Sequence, residues 1–209
     1  SVASALLFVM QGRRRHYGFS IDGNPDMKIA PPKPLEMIDT LIGTPSVSSV
    51  NPAQDQGNQA VIDRLAEWLE GLGFAIEVQP LPDQPGKANL VATLGRGEGG
   101  LVLSGHTDTV PCDPDLWASD PFRMTERDGR LYGLGTSDMK SFLALAIEAA
   151  RQYRAKDLAQ PLILLATADE ESGMAGARAL SELTAPLGRH AVIGEPTDLK
   201  PVRMHKGVL

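Results

Sequence analysis

Pro161-Leu162-Ile163-Leu164-Leu165-Ala166-Thr167-Ala168-Asp169-Glu170-Glu171 sets an unbroken apolar run directly against three acids. The run shows no helical period, and its length suits a strand buried on both faces. Adjacent carboxylates repel each other, and burying even one without a partner is costly. A surface turn is the plain reading of the three acids; a metal ligand beside a general base is the functional one.

The same pattern recurs on either side. Leu101-Val102-Leu103-Ser104 runs into Gly105-His106-Thr107-Asp108, and Ala191-Val192-Ile193 runs into Gly194-Glu195-Pro196-Thr197. Helical stretches separate the strands. Asn58 to Leu72 puts Val61, Ile62, Leu65, Trp68, Leu69 and Leu72 on one face before Gly71 and Gly73 stop it. Met139 to Arg154 stripes Phe142, Leu143, Ala146, Ile147, Ala150 and Tyr153. Ala175 to Leu183 is rich in helix formers, and a short helix around Leu35 to Leu41 follows a Pro-rich lead-in. Strands alternating with helices predict an α/β fold, a mostly parallel sheet flanked by helices. Ligands of such sheets bind beyond the carboxyl ends of the strands, where His106, Glu170, Glu171 and Glu195 fall.

Composition narrows the partners. With 209 residues, 42% hydrophobic and 22% charged, the chain can bury a real core. A net charge of −6 offers no basic footprint for nucleic acid. The single cysteine, Cys112, excludes an internal disulfide and is compatible with a reducing cytoplasm. The surrounding carboxylates oppose a thiolate there, so Cys112 is not read as a nucleophile. Val2 to Met10 is apolar but too short to span a bilayer, and Arg13-Arg14-Arg15 follows it, the reverse of a signal peptide. Residues 1–26 are therefore expected to be a non-native or disordered extension, with the native start at or near Met27. A membrane-surface anchor is the competing reading of that segment.

Each candidate residue has a bland alternative. His106 and Asp108 lie two apart, so an extended backbone would project both from one face, with Asp108 orienting the imidazole. A turn histidine beside a capping aspartate is the competing reading. Asp138 precedes a predicted helix, where an N-cap or first-turn acid is common. Gly133-Leu134-Gly135 in front of it is a weak phosphate-loop signal, and the nearby acids argue against a nucleotide.

Taken in order, the motifs resemble the two-zinc exopeptidase and deacylase family. They are His106-x-Asp108-Thr109-Val110-Pro111, Trp117 with Asp120-Pro121-Phe122, Gly133-x-Gly135-x-x-Asp138-Met139-Lys140, Asp169-Glu170-Glu171 and Gly194-Glu195-Pro196-Thr197. The likeness runs from about Leu35 to Leu209. It implies that His106, Asp138 and Glu195 hold one zinc ion, and that Asp138 bridges to a second held also by Glu171. It implies Glu170 as the general base, Asp108 as the clamp on His106, cobalt as a possible substitute for zinc, and an Asp138–Met139 peptide that is often cis. Glu195 to Gly207 is more similar to the matching stretch of acetylornithine deacetylases than to that of succinyl-diaminopimelate desuccinylases. The implied reaction is hydrolysis of N2-acetyl-L-ornithine to ornithine and acetate, within arginine biosynthesis.

Gly135 and Ser141 depart slightly from the family pattern. Relatives also carry a lid and dimerisation domain and further histidines beyond this stretch. Residues 27–209 are therefore expected to be the N-terminal part of a catalytic domain, incomplete at the C-terminus, homodimeric in full-length form and inactive alone. Two other readings stay open: a non-catalytic metal-binding remnant, and a nucleotide-binding module using Gly133 and Gly135.

Overall fold

A computed structural model describes residues 30–183 and 185–203. The expectation for residues 1–26 and the likeness at Met204 to Gly207 lie outside these residues. The described chain opens with α1 (Pro34–Ile42) and α2 (Gln59–Gly71). Strands β1 (Ala75–Pro80), β2 (Ala88–Leu94) and β3 (Leu101–His106) follow, then the short hairpin β4 (Thr125–Arg127) and β5 (Arg130–Tyr132). Helix α3 (Lys140–Ala150), β6 (Leu162–Thr167), α4 (Ala175–Ser181) and β7 (His190–Ile193) complete it.

The main sheet has the order β1-β2-β6-β3-β7. Strands β6, β3 and β7 pair in parallel, while β2 is antiparallel to both β1 and β6. Only β2 opposes the common direction, so the sheet is mixed but mostly parallel in sense. The β1–β2 hairpin was not legible in the sequence, because Glu77, Gln79 and Asn89 interrupt its apolar pattern.

Alternate residues of each strand serve opposite faces. Leu90, Ala92, Leu94, Leu164 and Ala166 join the main core with Met37, Leu41, Ile62, Leu65, Leu69, Leu143 and Ile147 from α1, α2 and α3. Val91, Val102, Ile163 and Leu165 face the other way, under Leu180 of α4 and Leu187. Burial of this size is the main stabilising term, at roughly 1.5–3 kcal/mol for each large side chain.

Two expectations need correction. Helix α3 ends at Ala150, so Tyr153 leaves the predicted stripe and stands 51% exposed. Strand β7, read as buried on both faces, is an edge strand exposed throughout, with Ile193 at 63%. It pairs with β3 alone, and among the described residues no strand pairs with its outer edge. No helix among the described residues is long and apolar enough to cross a membrane.

Candidate metal centre

Strand order explains why the motifs meet. His106 ends β3, the strand between β6 and β7, so the turn after β6 flanks it on one side and the turn after β7 on the other. His106 Nε2 lies 3.9 Å from Glu170 Oε2 and 3.9 Å from Glu195 Oε1. Asp138 arrives from the third direction, at the amino end of α3, with Oδ1 3.0 Å from the same nitrogen.

Small residues permit that convergence. A Cβ on Gly105 would lie 2.9 Å from Met139 Cε and 3.1 Å from Leu143 Cδ2, so its hydrogen lets α3 approach β3. A Cβ on Gly194 would fall 2.0 Å from the Phe142 ring, which packs against the backbone just before Glu195. The Asp138–Met139 peptide is cis, as the family likeness implied. Met139 occupies the cap position of α3 without a side-chain cap bond, so the capping reading of Asp138 is not what the structure shows.

The imidazole is buried, and its Nδ1–H donates to the Asp108 carbonyl at 3.0 Å. That bond turns Nε2 toward the acids. Asp108 was expected to orient the imidazole, and the contact runs through its backbone carbonyl. The strand stops at His106, so Asp108 turns, its Oδ2 accepting from Glu171 N–H at 3.1 Å. Its Oδ1 is buried without a partner, 3.7 Å from Nδ1.

Charge in this corner is lopsided. Burial alone would lower the proton affinity of His106, but Asp108, Glu170, Glu195 and Asp138 outweigh it and raise the value above the ordinary one. Glu171 is pushed up to about 7, by burial first and then by Asp138, Glu170 and Asp108, against the opposing effect of His106. Glu195 is also raised, by burial first and then by its acidic neighbours. Carboxyl groups whose proton affinity is raised by burial and by one another, as at Glu171 and Glu195, are what a divalent cation relieves.

One donor atom each from His106, Asp138 and Glu195 lies within 4.8 Å of the others. Nitrogen and carboxylate donors about 2.0–2.2 Å from one zinc ion fit that spacing. Glu171 stands outside this triad and lines, with Asp138, an adjoining cleft of about 370 Å³ that includes Trp117, Tyr132 and Thr136. Gly133 and Gly135 border the same cleft, without any lysine or arginine in its lining. Cys112 is not among the residues lining that cleft, and its thiol is pushed up by burial and Asp113.

Sequence reasoning missed two buried lysines. Lys140 is 1% exposed and donates to the Thr44 carbonyl at 2.7 Å and to Ser46 Oγ at 3.1 Å. Burial lowers its pKa to about 7, only partly opposed by Asp108. Lys87 pairs with Asp169 at 2.7 Å and with Asp55 at 2.8 Å. The signal for a partner was the buried-acid penalty at Asp169; nothing local said which cation would meet it.

Fold and site together define an α/β domain with a candidate metal centre at the carboxyl end of its parallel strands. Residues 102–206 match peptidase family M20/M25/M40, and the chain belongs to that family. It is 55% identical over 183 residues to acetylornithine deacetylase of Proteus mirabilis, and 53% identical to that of Photorhabdus laumondii. Each alignment covers 88% of this chain, which spans about half the length of these relatives (47% and 48%). Among solved structures, human carnosine dipeptidase 1 superposes with a TM-score of 0.65 at 24% identity, over 77% of this chain and 38% of that one. An M20 family metallo-carboxypeptidase from Sulfolobus solfataricus gives 0.57 at 26% identity, over 68% and 32%.

Proposed function

We propose that this chain carries the metal-binding part of an enzyme that hydrolyses the amide of a small N-acyl amino acid, N2-acetyl-L-ornithine foremost. The observation that carries the reading is His106 Nε2 set between Asp138 and Glu195, with Glu170 3.9 Å away and outside the three-donor group. Its acetylornithine part is supported by the identity to the two bacterial deacetylases.

In this reading His106, Asp138 and Glu195 hold one zinc ion, and Asp138 with Glu171 contributes to a second. Bound zinc acidifies water and polarises an amide carbonyl. Glu170 takes a proton at its carboxylate and delivers it to the leaving amine. Asp108 fixes the imidazole through its carbonyl, which leaves Nε2 as the donor to the ion. The cleft beside Asp138 and Glu171, bordered by Trp117 and Tyr132, gives the substrate a largely apolar wall. Cobalt in place of zinc, a homodimeric full-length form and a cytoplasmic place in arginine biosynthesis belong to the same reading.

The test offers N2-acetyl-L-ornithine and N-succinyl-diaminopimelate to the zinc-loaded full-length protein that carries this chain, and follows amine release. Faster release from acetylornithine is expected, with a loss of about 10²-fold or more in Glu170→Gln at unchanged zinc content. Preference for the succinyl substrate would replace the acetylornithine assignment. Full activity of zinc-loaded Glu170→Gln would remove Glu170 from the role.

A further inference from the structure

Asp169 is the acid of the Asp169-Glu170-Glu171 turn that does not approach His106. Its backbone is left-handed, with φ +61°, and its carboxylate is 3% exposed. Oδ1 accepts from Lys87 Nζ at 2.7 Å and from Ser172 Oγ at 2.8 Å. Oδ2 accepts from the backbone N–H groups of Gly173 at 3.1 Å and Ala175 at 3.3 Å. The carboxylate thus organises the whole link from the acid turn into α4.

Lys87 sits just before β2 and is almost as buried. Its other contacts are Asp55 Oδ1 at 2.8 Å and Ser48 Oγ at 3.5 Å. Asp55 also accepts from Ser49 N–H at 2.9 Å, and Ser48 N–H donates to the Thr109 carbonyl at 2.9 Å. The lysine therefore ties the acid turn to a segment that is itself bonded to the loop following His106. On the opposite side, Glu171 N–H is held by Asp108, whose carbonyl holds the imidazole. Glu170 and Glu171 hang between these two attachments.

We propose that Lys87 is a positioning residue for the metal centre: through Asp169 it holds the turn that sets Glu170 and Glu171 against His106. The inference rests on the metal reading above for its consequence, but not for its geometry. Three consecutive acids repel one another, and among the described residues Lys87 is the lysine or arginine paired with them. It compensates one carboxylate from behind and leaves two for the ion in front. Removing the ammonium leaves Asp169 buried and uncompensated, a penalty that opening the turn relieves.

The test compares the parent with Lys87→Met and Lys87→Arg in the metal-free chain by amide hydrogen exchange, then titrates each with cobalt. In Lys87→Met, exchange across residues 168–175 should speed by roughly tenfold or more while β2 and β6 keep their protection. Cobalt should bind at least about tenfold more weakly, with a changed visible spectrum, and Lys87→Arg should restore both. If Lys87→Met does not fold, Lys87→Gln, which keeps a donor toward Asp169, is read by the same criteria. Unchanged exchange in 168–175, or protection lost evenly over the whole domain, would overturn the proposal. A parent that binds no cobalt would refute the metal reading, and the exchange comparison would still decide the role of Lys87.

Discussion

Raising the pH should destabilise the metal-free chain and stabilise the zinc-loaded one. Glu171 is held at about 7 against an ordinary 4.5. A folded value above the unfolded one means that the stability this group contributes is present below 4.5 and lost as pH rises through about 7. His106 and Glu195 are raised too and act in the same direction. At about 1.4 kcal/mol per pKa unit the Glu171 shift has a ceiling of roughly 3 kcal/mol, which partial exposure discounts to about 1–2. In a domain of this size that is a fall of about 3–6 °C in Tm.

Lys140 works the other way, because its value is lowered to about 7 and stability returns as pH climbs from there toward 10.5. The measurement therefore belongs between pH 5 and 7. Zinc reverses the trend, since its ligands must lose protons to bind and its stabilisation grows with occupancy. The assay is thermal unfolding at several pH values, with chelator or with zinc, beside Glu171→Gln, which should flatten the metal-free curve. A metal-free Tm that rises from pH 5 to 7, together with a zinc increment independent of pH, would refute the reasoning.

His106→Ala should lower zinc affinity by about 10²-fold or more, because it removes the one nitrogen donor of the triad and leaves carboxylates alone; competition with a chromophoric chelator reads this out. Gly194→Ala should cost about 1–3 kcal/mol in denaturant unfolding and weaken zinc binding, since the new methyl meets the Phe142 ring beside Glu195. Gly105→Ala should be milder, because its nearest contact, at 2.9 Å, is the far end of the flexible Met139 side chain rather than a ring at 2.0 Å.

The apolar runs at Leu101, Leu162 and Ala191, each ending in acids or a histidine, fixed three parallel strands and the end of the sheet where chemistry gathers. That much was local: strand length, turn residues and the switch from apolar to charged are written in neighbouring positions. The family motifs named His106, Asp138, Glu170, Glu171 and Glu195 in the same way. The order β6-β3-β7 was not written there, and it alone sets His106 midway between Glu170 and Glu195. Nor did local pattern show that β7 lies at an edge, since exposure depends on what packs across a strand. Lys87 and Asp169 stand 82 residues apart, and only the pairing of β2 with β6 brings them together. Sequence specified which side chains want a charge partner. The tertiary structure chose the partner, because long-range electrostatic pairing is decided by chain topology, which no window of neighbouring residues contains.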